Sequence, residues 1–81
     1  MTVEIKVLGP GCDRCKQLAA NTTQAVAELA MDAQIEEVHD VAEIASAGVM
    51  QTPALMVGDK VLLSGRVPSV GQLKEILSAN A

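Results

Sequence analysis

The hydrophobic pattern of the chain changes period abruptly after its first eight residues. Residues 2–8 alternate between apolar and charged side chains, which is typical of a β-strand with one buried face. The Gly-Pro-Gly sequence at positions 9–11 breaks this alternation and predicts a turn. From Asp13 to about Ala30, apolar side chains recur at helical spacing. The chain therefore begins with a strand, a turn and a helix, and the rest of the fold must be built around this unit.

The remaining chain continues the alternation of strands and helices. A Gly58-Asp59 pair between two apolar runs predicts a β-hairpin, and Ser69 followed by Gln72 predicts a capped helix start. The predicted elements are strands at residues 33–38, 53–57 and 60–64, a short helix opened by Asp40 and ended by Gly48, and a last helix that frays from Ser78. A strand–helix–strand unit with parallel strands is right-handed. We therefore expect one α/β domain over residues 1–81, of the order βαβαββα, with a four-stranded mixed sheet and helices on both faces.

The core of this sheet has to be built without aromatic side chains. The chain has 81 residues and contains no Phe, Tyr or Trp, so Val, Leu, Ile, Ala and Met must fill the interior. Glu4 and Lys6 place charge on the strand expected at the centre of the sheet. This charge predicts that the short second helix covers its face of the sheet only thinly.

The composition excludes several classes of function. The net charge of −4 is unfavourable for nucleic acid, and no aromatic ring is present to stack on a base. No apolar run approaches the roughly 20 residues of a membrane span, and the first residues lack the basic and apolar regions of a signal peptide. We therefore expect a cytoplasmic monomer that binds neither nucleic acid nor a membrane.

The only two cysteines, Cys12 and Cys15, lie three residues apart at the predicted start of the first helix. The N-terminus of a helix stabilises an anion, so we expect the Cys12 thiol to have a pKa below its usual value. Arg14 and Lys16 would lower that pKa further, whereas Asp13 would raise it. A bridge closing so small a loop stabilises a protein by at most about 2 kcal/mol. Exchange chemistry is therefore a better reason for the pair: Cys12 attacks a disulfide and Cys15 resolves the mixed disulfide.

Thr52 and Pro53 form a second constellation, which the predicted topology places beside the cysteine loop. A cis bond before Pro53 would expose backbone groups that can pair with an extended substrate, and Gly11 would leave room for a partner to approach Cys12. Alternatively, Pro53 only begins a strand, a position that proline tolerates. The sequence leaves both interpretations open.

Together these features resemble the thioredoxin/glutaredoxin superfamily, and in particular its small redox-active disulfide proteins. The resemblance rests on the Cys-x-x-Cys after the first strand, the Thr-Pro about forty residues later, the hairpin and the last helix. It implies Cys12 as nucleophile, Cys15 as resolving thiol and Pro53 as a cis-proline that faces them. It also implies an oxidoreductase without a cofactor besides its disulfide, which reduces protein or small-molecule disulfides and takes electrons from a separate reductase of the thioredoxin-reductase type. Asp13 and Arg14 differ from the residues familiar between the cysteines, so the redox potential and the partner cannot be carried over.

Two other functions stay open at this point. Two thiolates can hold Cu(I) or trivalent arsenic, although we expect no resident metal, and a non-catalytic adaptor would use the proline edge without the thiols. Two further side chains are expected to have no functional role. His39 is expected on the surface away from the cysteines, and Met50 is expected to pack against the protein.

Overall fold

The element order is the predicted one. A computed structural model describes residues 2–11 and 13–80. The strands and helices are β1 (Val3–Leu8), α1 (Asp13–Leu29), β2 (Ala33–Val38), α2 (Val41–Ser46), β3 (Ala54–Val57), β4 (Lys60–Ser64) and α3 (Val70–Asn80). The prediction of an α/β fold with a four-stranded mixed sheet is confirmed. No helix in the described part of the chain is both long enough and apolar enough to cross a membrane.

The sheet has the strand order β2-β1-β3-β4. β1 pairs in parallel with β2, and the register sets Leu8 beside Val38. β3 pairs antiparallel with β1, and here the register sets Leu8 beside Ala54. β4 returns antiparallel to β3 after a tight turn at Gly58, which has a φ of +59°. The ends of β1 and β2 and the start of β3 therefore meet at one edge of the sheet.

Helices cover both faces of this sheet, but unequally. On one face, α1 and α3 pack over the strands in the larger core cluster, which contains Ile5, Val7, Leu18, Ala25, Val26, Leu55, Leu63, Leu73 and Leu77. On the other face, α2 contributes Ile44 to a smaller cluster with Leu8, Val38, Ala54 and Met56. A shallow cavity lined by Glu4, Lys6 and Glu36 lies on the part of this second face that α2 does not cover. The charge on β1 thus falls where the sheet is open, as predicted.

Side chains define the ends of the two later helices. The backbone N–H of Gln72 donates to Ser69 Oγ at 3.2 Å, and the Ser69 N–H donates to Gln72 Oε1 at 3.0 Å, which completes the predicted capping box. The Asp40 carboxylate accepts two amide hydrogen bonds at the start of α2. The fraying predicted from Ser78 is wrong, because α3 continues to Asn80. Asn80 Nδ2 donates to the Ile76 carbonyl at 2.8 Å and so stabilises the last turn.

Candidate functional site

Cys15 is buried directly beneath the loop that follows β1. It lies in the first turn of α1, and only 2% of its surface is exposed. A Cβ placed on Gly9 would collide with Cys15 Sγ and would lie 3.8 Å from Pro53 Cα. Gly9 is therefore in contact range of both Cys15 and Pro53, and only a residue without a side chain fits between them. Sequence reasoning treated Gly9 as a turn former and missed this packing role.

Cys12 lies outside the described residues. Its position at the start of the helix therefore stays a prediction. Its neighbour Gly11 is half-buried and has a φ of +89°, a conformation that favours glycine. Its other neighbour, Asp13, is the first residue of α1 and is exposed. Lys16 is exposed one turn further along the helix. The effects of these charges on the Cys12 pKa stay predictions.

Pro53 lies at the start of the neighbouring strand, on the Cys15 side of the sheet edge. The Thr52–Pro53 peptide bond is cis. Pro53 is buried, and its carbonyl accepts a hydrogen bond of 2.8 Å from the Gly65 N–H at the end of β4. β3 begins at Ala54 rather than at the predicted Pro53, because proline has no N–H to donate to a strand ladder. Thr52 is half-buried just outside the strand.

Arg14 connects the start of α1 to the segment that follows β4. Its Nη2 donates to the Gly65 carbonyl at 2.8 Å, and the Gly65 N–H in turn donates to Pro53. Residues 14, 65 and 53 thus form a continuous chain of hydrogen bonds between the helix that bears Cys15 and the proline. This contact is not evident from the sequence, because Gly65 carries no side-chain signal. Arg14 therefore links the first turn of α1 to the end of β4.

His39 does not lie away from the cysteine loop, and this prediction is wrong. His39 is exposed, as expected, but its Nδ1 is 3.0 Å from the Gly9 carbonyl oxygen. The parallel register explains this position, because Leu8 lies beside Val38 and the next residue of each strand must also be adjacent. The carboxyl ends of neighbouring parallel strands share one edge of the sheet. Because residue 39 directly follows the predicted second strand, this rule could have placed it near the cysteine loop from the sequence alone.

Met50 is exposed rather than packed, so the packing interpretation is also wrong. It is 95% exposed, three residues before Pro53. The segment between α2 and β3 has no strand or helix at position 50, so no apolar layer covers this side chain. Met50 is therefore an exposed apolar side chain in the segment that precedes Pro53.

The described residues hold no group of three or more His, Cys, Asp or Glu side chains arranged to bind a metal ion.

The structure brings together five residues around the loop that leads to Cys12: Cys15, Pro53, Gly9, Arg14 and His39. This arrangement joins a buried thiol, a proline and a titratable ring at one edge of the sheet.

Comparison with known proteins decides the family. The sequence matches the family described as "Thioredoxin domain" over residues 3–78. The chain belongs to the thioredoxin family. It is 42% identical over 77 residues to a protein of Methanocaldococcus jannaschii named "Thioredoxin", an alignment that covers 95% of this chain and 88% of the relative. It is 37% identical over 76 residues to a "Thioredoxin" of Methanothermobacter thermautotrophicus, with 94% and 99% of the two chains covered.

The resemblance predicted from the sequence is thus confirmed at the level of the family. Thioredoxin relatives that match nearly the whole chain support a redox function of the thioredoxin type. The structure also identifies the side chains that surround the cysteine loop in this member of the family.

Proposed function

We propose that the protein is a thiol–disulfide oxidoreductase that reduces protein or small-molecule disulfides through a reversible Cys12–Cys15 dithiol/disulfide pair. The observation that supports this most strongly is the burial of Cys15 in the first turn of α1, in contact range of Gly9 and beside Pro53. Cys12 precedes Cys15 by three residues in this chain of the thioredoxin family, which supports a pairing of the two sulfurs.

The proposed reaction consists of two exchange steps. The Cys12 thiolate attacks one sulfur of a substrate disulfide, forms a mixed disulfide with it and releases the other sulfur as a thiolate. Cys15, as a thiolate, then attacks the Cys12 sulfur, which forms the Cys12–Cys15 disulfide and releases the second substrate thiol. Two electrons pass from the protein dithiol to the substrate. A separate reductase of the thioredoxin-reductase type returns two electrons and regenerates both thiols.

Burial divides the two roles. Since Cys15 is 2% exposed beneath the loop, an incoming disulfide has poor access to it. Cys12 follows the half-buried Gly11 and precedes the first residue of α1, where unpaired helix N–H groups favour an anion. We therefore assign attack on substrate to Cys12 and release of product to Cys15.

The substrate would lie along the proline edge. The backbone N–H and C=O of Thr52 have no hydrogen-bond partner among residues 2–11 and 13–80. An extended peptide can pair with such groups as an added strand. Gly11 leaves space above the loop, Pro53 forms the wall, and the exposed Met50 adds apolar contact. This use of Gly11, Thr52 and Pro53 as substrate-binding residues is part of the proposal.

The proposal keeps the expectations from the sequence for the domain, the oligomeric state, the location in the cell and the cofactor. The protein would act as one domain and as a monomer in the cytoplasm, without a cofactor other than its disulfide. Asp13, Arg14 and Lys16 would tune the Cys12 thiol and the potential of the pair. The family comparisons do not favour the soft-metal and adaptor functions.

A single-turnover reaction with 5,5′-dithiobis(2-nitrobenzoate) tests the proposal. The reduced protein should release both aromatic thiols and end about 2 Da lighter, with no adduct, because Cys15 resolves the mixed disulfide. Cys15→Ser should release one aromatic thiol and retain the other on Cys12, which peptide mass spectrometry would locate. Cys12→Ser is the matched control and should react slowly, because Cys15 is buried. A stable adduct on the wild-type protein would contradict the proposed division of roles.

A further inference from the structure

The imidazole ring of His39 lies against the loop that leads into Cys12, and the two exchange steps give it no task. Its Nδ1 is 3.0 Å from the Gly9 carbonyl oxygen. A Cβ on Gly11 would lie 3.4 Å from the same Nδ1 and 3.6 Å from Cε1. The ring therefore contacts Gly9 at one end of the Gly-Pro-Gly turn and lies near Gly11 at the other end, and Gly11 is covalently bonded to Cys12.

We propose that His39 is a positioning residue that fixes this loop and places a titratable charge near Gly11, the residue that precedes Cys12. The proposal rests on the exchange function assigned to Cys12 above.

The contact with Gly9 determines where the ring carries its protons. A carbonyl oxygen only accepts, so Nδ1 of His39 must carry the hydrogen. In the neutral ring the lone pair is then on Nε2. A second proton binds at Nε2, and the hydrogen bond to Gly9 persists when it does. His39 can therefore gain a positive charge without leaving its place on the loop.

A positive charge at this position acts on the thiol. Histidine side chains ordinarily change charge between about pH 5 and 8, and a nearby cation favours a thiolate over a thiol. At low pH, where thiolates are scarce, the charged ring would keep a larger fraction of Cys12 reactive. At high pH, the ring would be neutral and would no longer favour the Cys12 thiolate over the thiol.

Other charged groups on the adjoining elements act differently. Asp40, the next residue, accepts amide hydrogen bonds from α2, and Arg14 is bound to Gly65 on the far side of Pro53. The remaining charged side chains on these elements are Glu4 and Lys6 on β1, Asp13, Lys16 and Glu28 on α1, Glu36 and Glu37 on β2, and Glu43 on α2. Carboxylates, lysines and arginines ordinarily titrate outside pH 5–8. Histidine is the type of side chain that ordinarily changes charge in this range.

Alkylation of the reduced protein by iodoacetamide tests the charge. Peptide mass spectrometry follows Cys12 at pH 5.5 and pH 8.5 in the wild type, His39→Asn and His39→Phe. Asn keeps an N–H donor but cannot be charged, whereas Phe keeps a ring but has no donor. We expect the wild-type rate to exceed that of His39→Asn by about three- to tenfold at pH 5.5 and to match it at pH 8.5. Lys60→Gln, which removes a positive charge near the other end of the sheet, should change neither ratio.

A second measurement tests the position of the ring. Long-range ¹H–¹⁵N spectra of the neutral imidazole should show the hydrogen on Nδ1. His39→Phe should alter the pH 8.5 alkylation rate, because it removes the hydrogen bond, whereas His39→Asn should not. A hydrogen on Nε2, or equal rates for all three proteins at both pH values, would overturn the proposal. Because alkylation needs no disulfide substrate, the alkylation rates report on His39 separately from disulfide reduction, so failure of this inference and failure of the proposed function give different results.

Discussion

The packing of Gly9 against Cys15 gives a prediction whose magnitude follows from the structure. In Gly9→Ala, the new Cβ would collide with Cys15 Sγ and lie 3.1 Å from Cys15 Cβ. Cys15 is buried, so its sulfur has little room to move. Overpacking of this kind costs about 1–3 kcal/mol, and the reduced entropy of the unfolded chain returns about 0.4–1 kcal/mol. We expect a net loss of about 1–2 kcal/mol in the free energy of unfolding.

The matched control is the same substitution where there is space. Gly71 lies in α3, and the closest atom to a Cβ placed there is Ser69 Oγ at 4.0 Å. Gly71→Ala should therefore stabilise the protein by about 0.5–1 kcal/mol through helix propensity. The same chemical change is expected to have opposite signs at the two sites.

A double-mutant cycle assigns the loss to the sulfur. In a Cys15→Ala background the sulfur is absent, so the cost of Gly9→Ala should fall by about 1 kcal/mol. Urea unfolding under reducing conditions measures each free energy. Far-UV circular dichroism is the appropriate signal, because the chain has no Trp or Tyr to fluoresce. An equal cost of Gly9→Ala in both backgrounds, or a cost no different from that of Gly71→Ala, would refute the reasoning.

Two further predictions concern the contact between α1 and α3 and its surroundings. Thr22 is fully buried, and its hydroxyl has no hydrogen-bond partner in the described part of the chain, so Thr22→Val should raise the unfolding free energy by about 1 kcal/mol. Thr23→Val is the control. The Thr23 hydroxyl donates to the Ala19 carbonyl at an exposed site, where water can replace the lost bond, so this variant should change the unfolding free energy little in the same urea experiment. Hydrogen bonds from Gln24 and then Lys74 lower the pKa of Glu28, so NMR titration should show a depressed carboxyl pKa that rises in Gln24→Ala and in Lys74→Met. Because the folded-state pKa is the lower one, the stabilisation is present above the unfolded-state pKa and is lost as the pH falls through the folded-state value; an unchanged Glu28 titration in both variants would contradict the assignment.

The fold was predictable because each local signal agrees with the tertiary structure. The change of period at residue 9, the Gly58-Asp59 turn and the Ser69 capping box each specify one element, and short connections leave few ways to arrange them. The charge on Glu4 and Lys6 even indicated the thinly covered sheet face. The elements therefore follow from the sequence with bounds that differ by at most three residues, the largest difference being at the end of α3.

The site was only partly predictable, because its remaining contacts depend on register and packing. The spacing of the cysteines indicated the chemistry, but the position of His39 depends on the pairing of Leu8 with Val38. The contact of Arg14 with Gly65 joins residues 51 positions apart and involves a backbone carbonyl that no residue type marks. Gly9 was predicted as a turn former, whereas its missing side chain matters because of Cys15 beneath it.

Cys12 and Cys15 are proposed to form a reversible two-electron couple, and a redox titration measures this couple. The protein is equilibrated in dithiothreitol buffers of graded ratio, alkylated, and its thiols are counted by mass spectrometry. We predict a single transition in which both thiols disappear together, with a slope of about 30 mV per tenfold change, as for two electrons. Cys15→Ser should show no such transition. If the wild type instead kept both thiols across the series and the reduced protein bound Cu(I) tightly at a 1:1 ratio, the oxidoreductase account would be contradicted.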